Sequence, residues 1–202
     1  MFDLRSVLIY PPVYKLLQNL ARRKEHTREY VEKYIKPKVG DVVLDIGCGP
    51  ADILEFLPRV KYYGFDLSSK YINEAKRRYG DRGEFFCKEL SETSAPAGIK
   101  FDIVMATNVL HHLNDEEAIK LFKLAQNCLK SGGRLVTCDG CHSKDEGFIS
   151  RTISNLDRGK YVRDQEGYLS LARQVFNRVE FDIRNDLSNI PVNGIFIICT
   201  KY

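Results

Sequence analysis

The chain has 202 residues, 44% of them hydrophobic, which suits one globular domain with a small appended cap. Its formal net charge of +4 is too weak to argue for a nucleic-acid partner. The early apolar run Val7 to Tyr14 is broken by Pro11 and Pro12 and has no small-residue cleavage site after it, so neither a transmembrane segment nor a signal peptide is expected. Six scattered cysteines, at 48, 87, 128, 138, 141 and 199, read as reduced thiols and point to a cytoplasmic protein.

The charge is uneven. Residues 1–38 carry nine Lys or Arg against four acids, a net +5. Such a segment reads as a solvated helix face with Glu–Lys pairing, or as a basic lip that attracts an anionic substrate or a membrane surface. Residues 13–36 have helical spacing through Leu16, Leu17, Leu20, Val31, Tyr34 and Ile35, and Pro37 ends them. Val42 to Ile46 predicts a first strand, Pro50 to Leu57 a helix, and Tyr62 to Phe65 a second strand. Ser68 or Ser69 caps a helix with Ile72, Ala75 and Tyr79 on one face. Glu84 to Cys87 and Phe101 to Ala106 are the next strands. Asn114 opens a helix, with Glu117 completing a capping box and Gly132-Gly133 marking its stop. Arg134 to Cys138 is a fifth strand, Glu166 to Val175 a late helix, and Val179 to Ile183 and Ile195 to Thr200 are antiparallel final strands.

Strands alternating with helices predict an α/β fold: a Rossmann-like, doubly wound, mostly parallel seven-stranded sheet with a final antiparallel strand and helices on both faces. Ligands on such sheets bind outside the carboxyl ends of the strands. The glycine turn Asp45-Ile46-Gly47-Cys48-Gly49-Pro50-Ala51-Asp52 follows the first strand. Glycines there permit a tight bend and close approach of a ligand, and Pro50 suits a first helical position. Asp52 stands at the sixth position of the would-be Gly-x-Gly-x-x-Gly, where it would repel a pyrophosphate. With Asp45 adding a second negative charge, a cationic ligand such as S-adenosylmethionine fits this loop better than a dinucleotide. Asp66, at the end of the second strand, can accept both hydroxyls of a ribose; it also suits a helix cap, a role Ser68 or Ser69 already fills.

With these motifs on the page, the chain resembles the class I S-adenosylmethionine-dependent methyltransferase family, in its small-molecule branch. The resemblance rests on Leu44-Asp45-Ile46-Gly47-Cys48-Gly49, Gly64-Phe65-Asp66-Leu67-Ser68, Phe101-Asp102-Ile103-Val104 with Asn108-Val109-Leu110-His111-His112-Leu113, and Leu129-Lys130-Ser131-Gly132-Gly133-Arg134-Leu135. It implies that Gly47, Cys48 and Gly49 wrap the methionine part of the cofactor and that Asp45 holds its ammonium, directly or through water. It further implies that Asp66 binds the ribose, Leu67 lines the adenine, Glu89 and Leu90 flank the adenine edge, and Asn108 and Val109 lie beneath the methionine and ribose. Residues 1–38 would form an N-terminal helical cap, 39–139 the cofactor-binding core, 140–167 a substrate lid, and 168–202 the C-terminal helix and strands of one domain. The sequence departs from the family pattern at Ala51, where a third glycine is common, and at Glu89, where Asp is usual.

The sulfonium already activates the methyl group, so placing a nucleophile in line with it supplies most of the rate, and a base helps only a nucleophile that must lose a proton. The candidate bases are His111, His112, Asp139 and His142, with His112, Asp139 and His142 preferred and the last two expected at the pocket mouth. Each also reads as a turn-fixing or solvated loop residue. Tyr10 and Tyr14, with Arg151, Arg158 and Arg163 in the long stretch after the fifth strand, are the candidate substrate contacts. Arg151, Arg158, Lys160, Tyr161 and Arg163 suit a carboxylate or phosphate, or else pair on the surface with Asp145, Glu146, Asp157 and Asp164.

Cys138-Asp139-Gly140-Cys141-His142 spells a haem-attachment pattern, but no export signal accompanies it, no second Cys/His pair stands nearby, and Cys138 should point into the sheet. No metal is expected. Three rival readings remain: an NAD-type nucleotide enzyme, an aminopropyl transferase (for which no acidic cluster follows the fourth strand), and a catalytically silent S-adenosylmethionine-binding protein. A nucleic-acid methyltransferase is disfavoured because Ala106-Thr107-Asn108-Val109 replaces the Asn/Asp-Pro-Pro-Tyr tetrad used on exocyclic amines.

Overall fold

The computed structural model describes residues 24–91, 96, 98–142, 160–185 and 193–202. The elements in order are α1 (Lys24–Tyr30), continued by a π turn (Val31–Ile35), β1 (Val42–Ile46), a 3-10 turn (Asp52–Glu55), β2 (Lys61–Asp66), α2 (Ser69–Tyr79) and β3 (Gly83–Cys87). There follow β4 (Phe101–Thr107), a 3-10 turn (Leu110–His112), α3 (Asp115–Cys128), β5 (Leu129–His142), β6 (Arg163–Asp164), α4 (Gln165–Arg173), β7 (Arg178–Arg184) and β8 (Gly194–Thr200).

The main sheet runs β3-β2-β1-β4-β5-β8-β7, and the two-residue β6 pairs with β5 off this path. Strands β1 to β5 pair in parallel, while β8 is antiparallel to both β5 and β7. The chain leaves β1 toward β3 and returns on the other side to β4. The crevice between the ends of β1 and β4 is therefore the topological switch point, where such sheets take their ligands.

Alternation along each strand feeds two cores. Val43, Ile103, Met105, Val136 and Phe196 pack with α1 and α2 on one face. Leu44, Val104, Ala106, Leu135, Ile195 and Ile197 pack with α3 and α4 on the other. Helices thus cover both faces, as the sequence predicts. The predicted caps hold: Ser68 Oγ accepts from Tyr71 N, and Asn114 and Glu117 form a reciprocal capping box. Helix α1 is tied down from afar, since Arg134 of β5 donates to the carbonyls of Ile35 (3.0 Å) and Lys36 (2.8 Å). Those carbonyls end the helix and would otherwise lack partners.

Three expectations need correction. The helix expected over Pro50 to Leu57 is a single 3-10 turn, Asp52–Glu55. Ala51 sits in the left-handed region at φ 58° and cannot begin an α-helix, and Leu57 precedes Pro58, which disfavours helical backbone before it. Helix α3 stops at Cys128, ahead of Gly132-Gly133, because Leu129 is already extended (ψ 145°). Strand β5 is much longer than Arg134 to Cys138. Its far end is held by β8, as far as Gly140 opposite Gly194, and by β6, partners that come from distant sequence. Residues 140–142 of the expected lid belong to β5, and its residues 143–159 lie outside the described residues.

Among the described residues, no helix is long and apolar enough to cross a membrane. Cys138 packs on the α1 side of β5 and Cys141 on the α4 side. The two thiols of the haem-like pattern thus face opposite ways on one strand.

Candidate active site

The loop after β1 is shaped by backbone. Gly47 (φ 72°) and Gly49 (φ 54°) take left-handed conformations that favour glycine. Gly47 N and Cys48 N both donate to the Phe65 carbonyl, at 2.8 and 3.0 Å, which fastens the loop to the end of β2. A Cβ on Gly47 would lie 2.7 Å from Val109 Cγ2, so the loops after β1 and β4 meet at this point.

Asp66 ends β2. Its Oδ2 accepts from Gly49 N at 2.9 Å and its Oδ1 from Ser68 N at 2.7 Å. Each carboxylate oxygen keeps capacity for a further donor. Beside it Leu67 is 75% exposed, a large apolar side chain left open at the sheet's carboxyl edge. Glu89 is exposed, whereas Leu90 is buried in the α3-side core. Asp45 is buried, and Tyr62 donates its hydroxyl to Asp45 Oδ2 at 2.5 Å. Burial pushes the Asp45 carboxyl up to about 7; the Tyr62 hydrogen bond opposes this and the charge of Asp66 adds to it.

Asp52 requires another correction. Its carboxylate is paired with Arg78, which Glu55 and Glu74 share, so its charge is partly answered within the protein. The stronger argument against a pyrophosphate is the short 3-10 turn, which offers no long helix whose N-terminus could hold one.

After β4, Asn108 is exposed and left-handed (φ 58°), its N–H held by the Cys138 carbonyl at 2.7 Å. The 3-10 turn then buries His111 and exposes His112, with ring centroids 4.2 Å apart. Asp139 is not at the pocket mouth: it is fully buried inside β5, where Oδ1 accepts from His111 Nδ1 at 2.9 Å and His111 N at 3.2 Å. Burial raises the Asp139 carboxyl above its ordinary value, against the opposing contacts with His111. His142, half-buried, ends the strand.

Arg163 is turned onto the chain itself. Its side chain is 10% exposed, and it donates to Asp115 and to the carbonyls of Leu110 (3.1 Å), Leu113 (2.7 Å) and Tyr161 (3.0 Å). It clamps the segment before α4 onto the turn after β4. Lys160 and Tyr161 are exposed. Tyr10, Tyr14, Arg151 and Arg158 lie outside the described residues.

Sequence reasoning missed Tyr30. It comes from α1, is buried, and its hydroxyl lies 3.1 Å from Thr107 Oγ1 at the end of β4. Burial raises its phenol well above the ordinary value, with the charges of Cys138, Asp45 and Asp139 acting in the same direction. That hydroxyl therefore sits where β1, β4 and β5 end. Its only sequence signal was a tyrosine in a helix assigned to a cap.

These features meet the needs of an S-adenosylmethionine site: glycines for close backbone approach, a carboxylate with spare acceptor capacity, an open apolar platform and a buried acid. Comparison with known proteins agrees. The sequence model of a family described as a methyltransferase domain matches residues 43–133, the span that holds all of these groups. Residues 43–133 thus read as a methyltransferase domain of the class I, S-adenosylmethionine-dependent kind.

The chain is 30% identical over 174 residues to phosphoethanolamine N-methyltransferase 1 of Zea mays, covering 80% of this chain and 33% of that protein. It is 30% identical over 142 residues to the tRNA N(3)-methylcytidine methyltransferase trm141 of Schizosaccharomyces pombe, covering 64% of this chain and 57% of that one. The chain thus spans from a third to somewhat over half the length of these two relatives. In fold it is similar to geranyl diphosphate methyltransferase solved with S-adenosylmethionine, at TM-score 0.70 and 16% identity, covering 98% of this chain and 95% of that one.

Proposed function

We propose that this domain transfers a methyl group from S-adenosylmethionine to a small-molecule acceptor, and that the acceptor is anionic. The observation that carries the reading is the junction at the switch point, where Gly47 meets Val109 while Asp66 and the exposed Leu67 flank it on the neighbouring strand. When bound, S-adenosylmethionine supplies a methyl group already activated on a positively charged sulfur. The chain's own work is then orientation.

In this reading the backbone of Gly47, Cys48 and Gly49 closes around the amino-acid end. Asp45 accepts from the ammonium, Asp66 accepts from the ribose hydroxyls, and Leu67 covers one face of the adenine. Asn108 and Val109 form the floor, and the acceptor approaches in line from the side of His112. An exposed imidazole at that turn is suited to removing a proton from an acceptor amine or hydroxyl. Asp139, buried and engaged with His111, is suited to holding that turn rather than to touching the acceptor.

A small acceptor is supported by the modest net charge and by the relative that acts on phosphoethanolamine, itself a small anionic amine. The six unbridged cysteines suit a reducing, cytoplasmic setting. The test is transfer of labelled methyl from S-adenosylmethionine to phosphoethanolamine, to a pool of small metabolites and to bulk tRNA. Label in the small-molecule fractions supports the reading. Label in tRNA alone replaces it with a nucleic-acid acceptor.

A further inference from the structure

The 3-10 turn Leu110–His112 has no side-chain cap at its N-terminus from the residue before it, Val109. The cap comes from β5. Asp139 Oδ1 accepts both the His111 backbone N–H and the His111 ring Nδ1–H, so one carboxylate oxygen fixes the turn's main chain and its buried side chain together. The other end of the turn is held by a second remote group. Arg163 takes the Leu110 and Leu113 carbonyls, and Tyr161 N donates to the His111 carbonyl at 3.0 Å.

This anchoring has an unusual cost. Among the described residues, buried Asp139 Oδ2 meets no hydrogen-bond partner, nor does Thr137 Oγ1, two residues back on the same face of β5. A buried carboxylate with one oxygen unmet is an expensive way to hold a turn if stability is the only aim. The turn it holds carries Val109, whose methyl group occupies the space that the missing Cβ of Gly47 leaves open. It also carries the left-handed Asn108 and the exposed His112.

We propose that Asp139 and His111 are a positioning pair that sets the turn after β4 against the Gly47 loop, and thereby sets the affinity of the site for its nucleoside cofactor. The inference rests on the S-adenosylmethionine reading above. Neither residue touches the cofactor; both act through Asn108 and Val109.

The hydrogen bond from Nδ1 gives a stringent test. In asparagine the side-chain amide nitrogen occupies the place of histidine Nδ1, whereas in glutamine it reaches only the place of Nε2. His111→Asn keeps the donor to Asp139 and His111→Gln misplaces it. S-adenosylhomocysteine is titrated into both variants by calorimetry, well below their melting temperatures, so that a loss of stability alone leaves the affinity unmoved. The expected result is His111→Asn within about threefold of wild type and His111→Gln weaker by about tenfold or more. Wild-type affinity in His111→Gln, or an equal loss in both variants, overturns the pair. If neither variant melts cooperatively, Asp139→Asn and Asp139→Ala decide together: Asp139→Asn within about threefold of wild type with Asp139→Ala weaker by about tenfold or more supports the pair, and equal affinities in the two overturn it. Wild-type protein that binds no S-adenosylhomocysteine overturns the cofactor reading and this inference together, an outcome distinct from the others.

Discussion

The Tyr62 hydroxyl donates to Asp45 Oδ2 at 2.5 Å, deep beneath the first glycine of the loop after β1. This contact governs an acid whose titration, at about 7, falls within the physiological range. If ionised Asp45 receives the cofactor's ammonium, S-adenosylhomocysteine should bind about tenfold more tightly at pH 8 than at pH 6. Tyr62→Phe removes a bond to the charged form, so the same rise should move to higher pH. Calorimetry across pH 5.5 to 9 checks both.

The same group predicts a stability trend of opposite sign. Its folded value lies above its unfolded value of 3.8, so the folded state holds the extra proton between them. The contribution of Asp45 to stability is fully present below the unfolded value and declines as pH rises toward about 7. Asp45→Asn should flatten that part of the melting-temperature profile. A profile unchanged by the substitution would contradict the assignment.

Arg163 separates a structural clamp from a substrate contact. Arg163→Met takes the side-chain donor from the Leu113 carbonyl, removes one of the two donors at the Leu110 carbonyl, and should cost about 2–4 kcal/mol of stability in a denaturant titration. A substrate role would instead raise KM and leave stability intact.

Gly47→Ala should weaken cofactor binding and destabilise the fold by about 1–3 kcal/mol, since it forces a side chain into a left-handed residue and into Val109. Gly49→Ala faces open space and suffers only the backbone penalty, so it should be the milder of the two.

The fold was legible because strand alternation and caps are local signals. Ser68, Asn114 and Glu117 sit in sequence next to the helices they cap, and Val43 and Leu44 face opposite cores simply because they are adjacent. The glycine loop and Asp66 were legible for the same reason. What could not be read depends on distant partners. The length of β5 depends on β8, the burial of Asp139 on His111, the pairing of Asp52 on Arg78, and the inward role of Arg163 on carbonyls about fifty residues earlier. Tyr30 belongs with these, because nothing near it in sequence reveals that its hydroxyl reaches Thr107.

The most direct measurement of the central claim is calorimetric titration of the wild-type protein with S-adenosylmethionine, S-adenosylhomocysteine and NADH, repeated on Asp66→Ala. The account predicts binding of the first two and not of NADH, with Asp66→Ala weaker by about 1–3 kcal/mol. Binding of NADH alone, or unchanged affinity for S-adenosylmethionine in Asp66→Ala, would contradict it.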